Sequence, residues 1–161
     1  MSLDKPLAQT IDGSARRFLV VAACYNKDLV DAVLNSAISR LREAGVPDDG
    51  VDVLRVPGSG EVPYAVQLGL DTGEYDACVA LGVLIRGGTN HHAIIAQSVT
   101  DALQMTALNL RVPVINGIIV AESREQAVER AAGGMDRGRE FAEAALTMAD
   151  LRGKREVVHV G

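Results

Sequence analysis

Cysteine is scarce in this sequence. Only Cys24 and Cys78 occur, each inside an apolar run. Two such residues do not make the disulfide framework of a small secreted domain, so two buried, reduced thiols and a cytoplasmic location are expected. No apolar run is long and uninterrupted enough for a membrane helix, and no membrane partner is expected. The opening segment MSLDKPLAQTIDGSARR lacks an apolar centre and does not read as a signal peptide. A basic block is missing too: 16 Lys and Arg face 21 Asp and Glu, for a net charge of −5. Nucleic acid is therefore not expected as the main partner, although a local basic pocket can still hold a phosphate. Repeats, low-complexity tracts and linkers are absent. So are metal-ligand spacings, a phosphate-loop motif, a nucleophile elbow and a dinucleotide fingerprint. No metal and no cofactor is expected.

What is present fits one domain over residues 1–161, with 1–16 as an N-terminal arm and 152–161 as a C-terminal tail. A chain of this size can bury most of its apolar surface without disulfides or metal. Residues 18–25 (FLVVAACY) form a continuous apolar run, the pattern of a strand covered on both faces. Residues 28–43 follow with Leu34, Ile38 and Leu41 at helical spacing, and Gly45 suits the stop. Further strands are expected over 51–56, 75–85 and 112–120. Helices are expected over 61–70, with Pro63 in the first turn, and over 91–109, with Ile95, Val99 and Leu103 along one face. Ser123 and Gln126 have the spacing of a capping box. The helix they open should end near Gly133 and Gly134, and a last helix over 137–151 should bury Phe141, Ala145 and Met148. Strand–helix alternation four times over predicts a parallel sheet with helices on both faces. Ligands of such sheets bind at the carboxyl ends of the strands.

The richest segment lies at one such end, from Gly82 to His92. It leaves a buried strand, passes Gly87 and Gly88 and enters a helix. Free N–H groups at a helix start make an anion site, and glycines let the backbone approach it closely. The plainer alternative is a tight turn capped by Thr89 or Asn90. His91 falls in the first helical turn, where it suits proton transfer, or serves as a surface histidine. Glu61 starts a helix, where the dipole favours a carboxylate whether or not it binds a hydroxyl. Arg130 and Arg137 flank a glycine-rich break and, taken alone, read as solvated charge. Tyr25 ends a strand and offers a stacking surface.

Together and in order, these segments resemble the lumazine synthase family over residues 18–151. The matching stretches are Tyr25-Asn26, residues 56–63 (VPGSGEVP), Tyr75-Asp76-Ala77 and residues 80–87 (ALGVLIRG) with Thr89 and His91. Pro113-Val114-Ile115, Glu125-Gln126-Ala127 and Glu129-Arg130-Ala131 complete the set. The resemblance implies a flavodoxin-like three-layer α/β/α sandwich on a four-stranded parallel sheet. It implies condensation of 5-amino-6-ribitylaminouracil with 3,4-dihydroxy-2-butanone 4-phosphate to 6,7-dimethyl-8-ribityllumazine, the penultimate step of riboflavin synthesis. It also implies pentamers with each site between subunits; a sixty-subunit shell stays open, since Pro6 in the arm argues against strand addition.

By the same resemblance, Tyr25 would stack on the pyrimidine, and Asn26 and Glu61 would bind the ribityl end. Backbone groups of Ser59, Gly60, Val83, Leu84 and Ile85 would line that substrate. Gly88 and Thr89 would cradle the phosphate, His91 would move protons, and Arg130 of a neighbouring subunit would complete the phosphate site. Arg137 replaces a family lysine near the second substrate. The chain departs from the pattern at Gly60 and Asn116, where aromatics are usual, and at Ala93, where an acid often stands. The break after Arg130 is about one residue short. With the aromatics gone, His92 is a candidate to fill the space beside Gly60. Two relatives in shape stay open as alternatives: an archaeal-type pentameric riboflavin synthase and a non-catalytic flavin- or lumazine-binding shell protein. Riboflavin synthase is a candidate partner.

Overall fold

The computed structural model describes Asp4, Leu7 and residues 10–154; Pro6 and the tail beyond Lys154 lie outside the described residues. Four strands, β1 (Phe18–Ala23), β2 (Val51–Val56), β3 (Ala77–Ile85) and β4 (Val114–Ala121), alternate with helices. The helices are α1 (Lys27–Glu43), α2 (Val62–Leu70), α3 (His91–Leu110), α4 (Arg124–Ala132) and α5 (Arg137–Lys154). All strands pair in parallel, in the order β2-β1-β3-β4. The expected three-layer α/β/α fold is present.

Two-residue alternation in the central strands divides the core. Phe18, Val20, Ala22, Val79 and Leu81 face α1, α4 and α5, while Leu19, Val21, Ala23, Cys78 and Ala80 face α2 and α3. Every residue of β1 is buried, which is why its sequence shows no polar alternation. Chain direction across the sheet reverses at β1. From β1 the chain moves outward to β2, then crosses back to β3 on the other side. Such a switch point opens a crevice at the carboxyl ends of the two central strands.

Several elements differ from expectation, each for a local reason. Strand β1 stops at Ala23; beyond it Cys24 N donates to Val56 O at 2.8 Å and Tyr25 N to Pro57 O at 3.1 Å. Cys24 is exposed, not buried, while Cys78 is buried as expected. Burial pushes the Cys78 thiol well above its ordinary range, so it stays protonated and unreactive. Helix α5 buries Phe141 and Ala145 as expected, but Met148 is 37% exposed, and Leu146 and Ala149 are buried beside them. Ser123 Oγ accepts from Gln126 N at 3.2 Å, but the Gln126 side chain accepts from Glu122 N, one residue before the cap. Among the described residues no helix is long and apolar enough to cross a membrane.

Strand β3 begins at Ala77 rather than Tyr75, and the two residues before it are engaged by side-chain bonds. Tyr75 Oη donates to Asp52 Oδ2 at 2.8 Å, and Asp76 Oδ2 accepts from Arg17 N at 2.8 Å. Burial, and then the Asp52 carboxylate, push the Tyr75 phenol from 10.0 up to about 12. A pKa raised by folding stabilises fully below the unfolded value and is lost as pH rises through the folded one. The Tyr75 contribution should therefore fade between about pH 10 and 12. At pH 8, Tyr75→Phe should cost about 0.5–1.5 kcal/mol in urea unfolding. The gap between variant and parent should narrow clearly by pH 11. An equal gap at both pH values would contradict this.

Candidate active site

The β1–α1 turn opens the site. Asn26 adopts the left-handed conformation at φ 52°, which asparagine tolerates better than most residues. Its side chain reaches across the switch point, where Nδ2 donates to Val83 O at 2.9 Å. Pairing of β3 with β1 ends at Leu81, whereas pairing with β4 runs on to Ile85. The last four residues of β3, Gly82 to Ile85, thus have no strand beside them on the β1 side. Residues in a parallel strand direct their N–H and C=O alternately to the two sides. Since Val83 faces the crevice, Ile85 does too, while Leu84 turns its backbone toward β4.

The β2–α2 loop forms the opposite wall. Glu61 Oε2 accepts from Gly58 N at 2.8 Å. Gly58 fits closely there: a Cβ would lie 3.1 Å from Glu61 Oε2 and 3.2 Å from Tyr25 Cδ2. Tyr25 and Glu61 are thus neighbours across Gly58, and the ring is 74% exposed. Ser59 is buried against Gly82, where a Cβ would collide with Ser59 Oγ and come within 3.0 Å of Ile118 Cδ1. These glycine clearances are not readable from the motif, which names the glycines without naming what fills the space. Gly60 has nothing within 4 Å of a Cβ, so within the chain the space beside it is open and its own His92 does not fill it. His92 instead lines a shallow depression with Arg86, Gln97, Asp101 and Glu122, and its Nδ1 is shielded without a hydrogen-bond partner.

The β3–α3 loop is held at its root. Arg86 N donates to Ala121 O at 2.9 Å, and its guanidinium pairs with Glu122 at 3.0 Å. Beyond it Gly87, Gly88 and Thr89 are exposed. Asn90 occupies the cap position of α3 without a side-chain capping bond, and Thr89 Oγ1 accepts only a 3.4 Å bond from His91 N. The start of a 20-residue helix is therefore left largely uncapped. His91 sits exposed at this opening.

Three of the expected residues do not join this group within one chain. Asn116 lies inside β4 opposite Ala80, with Nδ2 donating to Thr100 Oγ1 at 3.0 Å and Oδ1 accepting from Ile118 N at 3.1 Å. Arg130 donates from α4 to the Val120 carbonyl on β4. Arg137 pairs with Glu140 at 2.8 Å, and both side chains are less than one-fifth exposed. Among the described residues no cluster of His, Cys, Asp and Glu could hold a metal ion.

An aromatic ring, a carboxylate and a strand edge that no strand covers lie at the switch point of a parallel sheet, and that strand leads on to an uncapped helix start. That arrangement defines an α/β protein that takes small polar molecules at the carboxyl ends of its strands. The family model for 6,7-dimethyl-8-ribityllumazine synthase matches residues 15–153. A protein of that name from Halorhodospira halophila is 43% identical over 135 residues, 84% of this chain and 85% of the relative. Namesakes from Salinibacter ruber and Nitrobacter hamburgensis are 38% and 41% identical, covering 91% and 94% of this chain and 93% and 94% of their own lengths. The chain belongs to the 6,7-dimethyl-8-ribityllumazine synthase family.

Proposed function

We propose that the chain catalyses the condensation of 5-amino-6-ribitylaminouracil with 3,4-dihydroxy-2-butanone 4-phosphate. The products are 6,7-dimethyl-8-ribityllumazine, one inorganic phosphate and two waters. The 5-amino group attacks the ketone and loses water to form an imine. Phosphate then leaves, the chain isomerises, and the ribityl-bearing amine closes the ring with loss of the second water.

The observation that carries this reading is the extension of β3 past β1. It leaves an edge that no strand covers, with the Val83 carbonyl held by Asn26 and the uncapped start of α3 next along the chain. A flat heterocycle with donors and acceptors on its rim suits that edge, and a phosphate suits the helix start. Tyr25 covers the ring, Asn26 and Glu61 meet the ribityl hydroxyls, and Ser59 and Gly60 line the same wall. Gly88 and Thr89 hold the phosphate, and His91 moves protons between amine, leaving group and water. Holding both reactants together can offset about 7–11 kcal/mol of barrier in the best cases.

Arg130, Arg137 and Asn116 act from a neighbouring subunit in this reading. Exposed Tyr64 and Leu68 on α2, with Ile94, Met105 and Leu108 on α3, support close packing of copies, and a pentamer is the assembly proposed. The unpaired thiols suit a reducing cytoplasm, and riboflavin synthase would take up the product. The purified protein, given both substrates, should form lumazine by absorbance and fluorescence, undiminished after chelation. Activity restored only by added metal would contradict the mechanism.

A further inference from the structure

The α4–α5 break leads into Arg137, the first residue of α5. Within the break Gly134 N donates to Glu129 Oε1 at 3.2 Å and Asp136 N to Gly133 O at 3.3 Å. Its far end is also held from α1. Asp136, just before α5, is left-handed at φ 41°, a conformation that needs outside support in a residue other than glycine. Its carboxylate takes a hydrogen bond from Ser36 Oγ on α1, and the same Oδ1 accepts from Arg139 N at 3.3 Å, closing the first turn of α5. Two residues on, Gly138 presses against α1. A Cβ there would overlap the Val33 carbonyl oxygen and lie 2.8 Å from Ser36 Cβ and 3.1 Å from Ala37 N. Below this point Arg139 pairs with Glu43 at 2.9 Å, and Arg40 pairs with Glu143 at 3.3 Å. Arg137 lies between the Asp136 anchor and the Gly138 contact, so its Cα has little freedom, and Glu140 then sets the direction of its guanidinium.

We propose that Ser36 and Asp136 are a positioning pair for the reaction: the Ser36 hydroxyl holds Asp136, and Asp136 sets the place from which Arg137 reaches substrate. Ser36 itself touches no substrate. This rests on Arg137 being a substrate-binding residue, as proposed above. The pair also joins two parts of the site through one helix. Helix α1 starts beside Asn26, at this chain's own crevice, and its middle holds the turn that serves the neighbour's.

Steady-state kinetics of the full-length enzyme test it, with both substrates varied, for Ser36→Ala, Ser36→Thr, Asp136→Asn, Arg137→Ala and Ser36→Ala/Arg137→Ala. Ser36→Ala should raise about fivefold the KM that Arg137→Ala raises, with kcat changed less than twofold and the melting midpoint nearly unchanged. Ser36→Thr keeps the hydroxyl and should restore most of the loss. Asp136→Asn keeps an acceptor and tolerance of positive φ, and should be mild. In the Arg137→Ala background the Ser36→Ala effect should vanish, because its route to the substrate is gone. Parent-like kinetics for Ser36→Ala, with a raised KM for Arg137→Ala, would overturn the positioning pair and leave the site reading standing. A Ser36 effect that persists without Arg137 would also overturn it. Parent-like kinetics for Arg137→Ala would remove Arg137 from the site, and the pair's role with it.

Discussion

His91→Ala is expected to lower turnover by roughly a hundredfold or more, with assembly and melting midpoint unchanged. His91 opens α3 at the uncapped end, is exposed, and supports no packing. Alanine is a good helix former, so the fold loses little. A proton shuttle acts in the transition state, so kcat and kcat/KM should fall together while substrate affinity stays near that of the parent. A variant with parental turnover would take His91 out of the mechanism. The change has to be read alongside His92, whose ring faces a different depression and which should tolerate replacement better.

The second large effect is expected at Arg130. Arg130→Ala should weaken sugar-phosphate binding by about 1.5–3 kcal/mol, on the order of ten- to a hundredfold, since a charge-assisted contact to an anion is lost. Within its own chain Arg130 already donates to Val120 O, so some loss of stability is expected too, and unfolding measurements separate the two. The sharper test is complementation. Arg130→Ala subunits keep His91, and His91→Ala subunits keep Arg130. When the two are unfolded together and reassembled, some interfaces contain both intact residues, and activity should partly return. No recovery would mean that each subunit carries a complete site.

The layered fold was legible because burial on both faces leaves a strong signature. The FLVVAACY and ACVALGVLI segments admit no polar residue, and a strand with helices above and below has no polar face to show. Strand ends were less legible. The apolar run continues through Cys24 and Tyr25, but the strand ends at Ala23 and their N–H groups meet the carbonyls of Val56 and Pro57, more than thirty residues away. Cys24 was misread for that reason: an apolar neighbourhood in sequence is not one in space. The site reads as a set of loops after strands; of these, Tyr25 and Glu61 meet across Gly58, and Asn26 reaches Val83. What sequence could not show is clearance. Gly58 looks like a turn glycine and Gly82 lies inside an expected strand, yet each makes room for a particular side chain, Tyr25 with Glu61 in one case and Ser59 in the other. Asn116 was placed by analogy with an aromatic position. Within the chain its amide also ties β4 to α3 through Thr100, an interaction without a periodic signal. The Ser36–Asp136 contact, 100 residues apart in sequence, was invisible for the same reason.

The central claim is that one crevice holds a diaminouracil and a four-carbon sugar phosphate together and joins them. The most direct measurement follows lumazine absorbance and released phosphate in one reaction, at saturating concentrations of both substrates and with each omitted in turn. Expected is one phosphate per lumazine, at a rate proportional to enzyme, with neither product formed when one substrate is missing. Tight binding of the pyrimidine with no enzyme-dependent lumazine or phosphate would contradict it, and would leave a binding protein on an enzyme's fold.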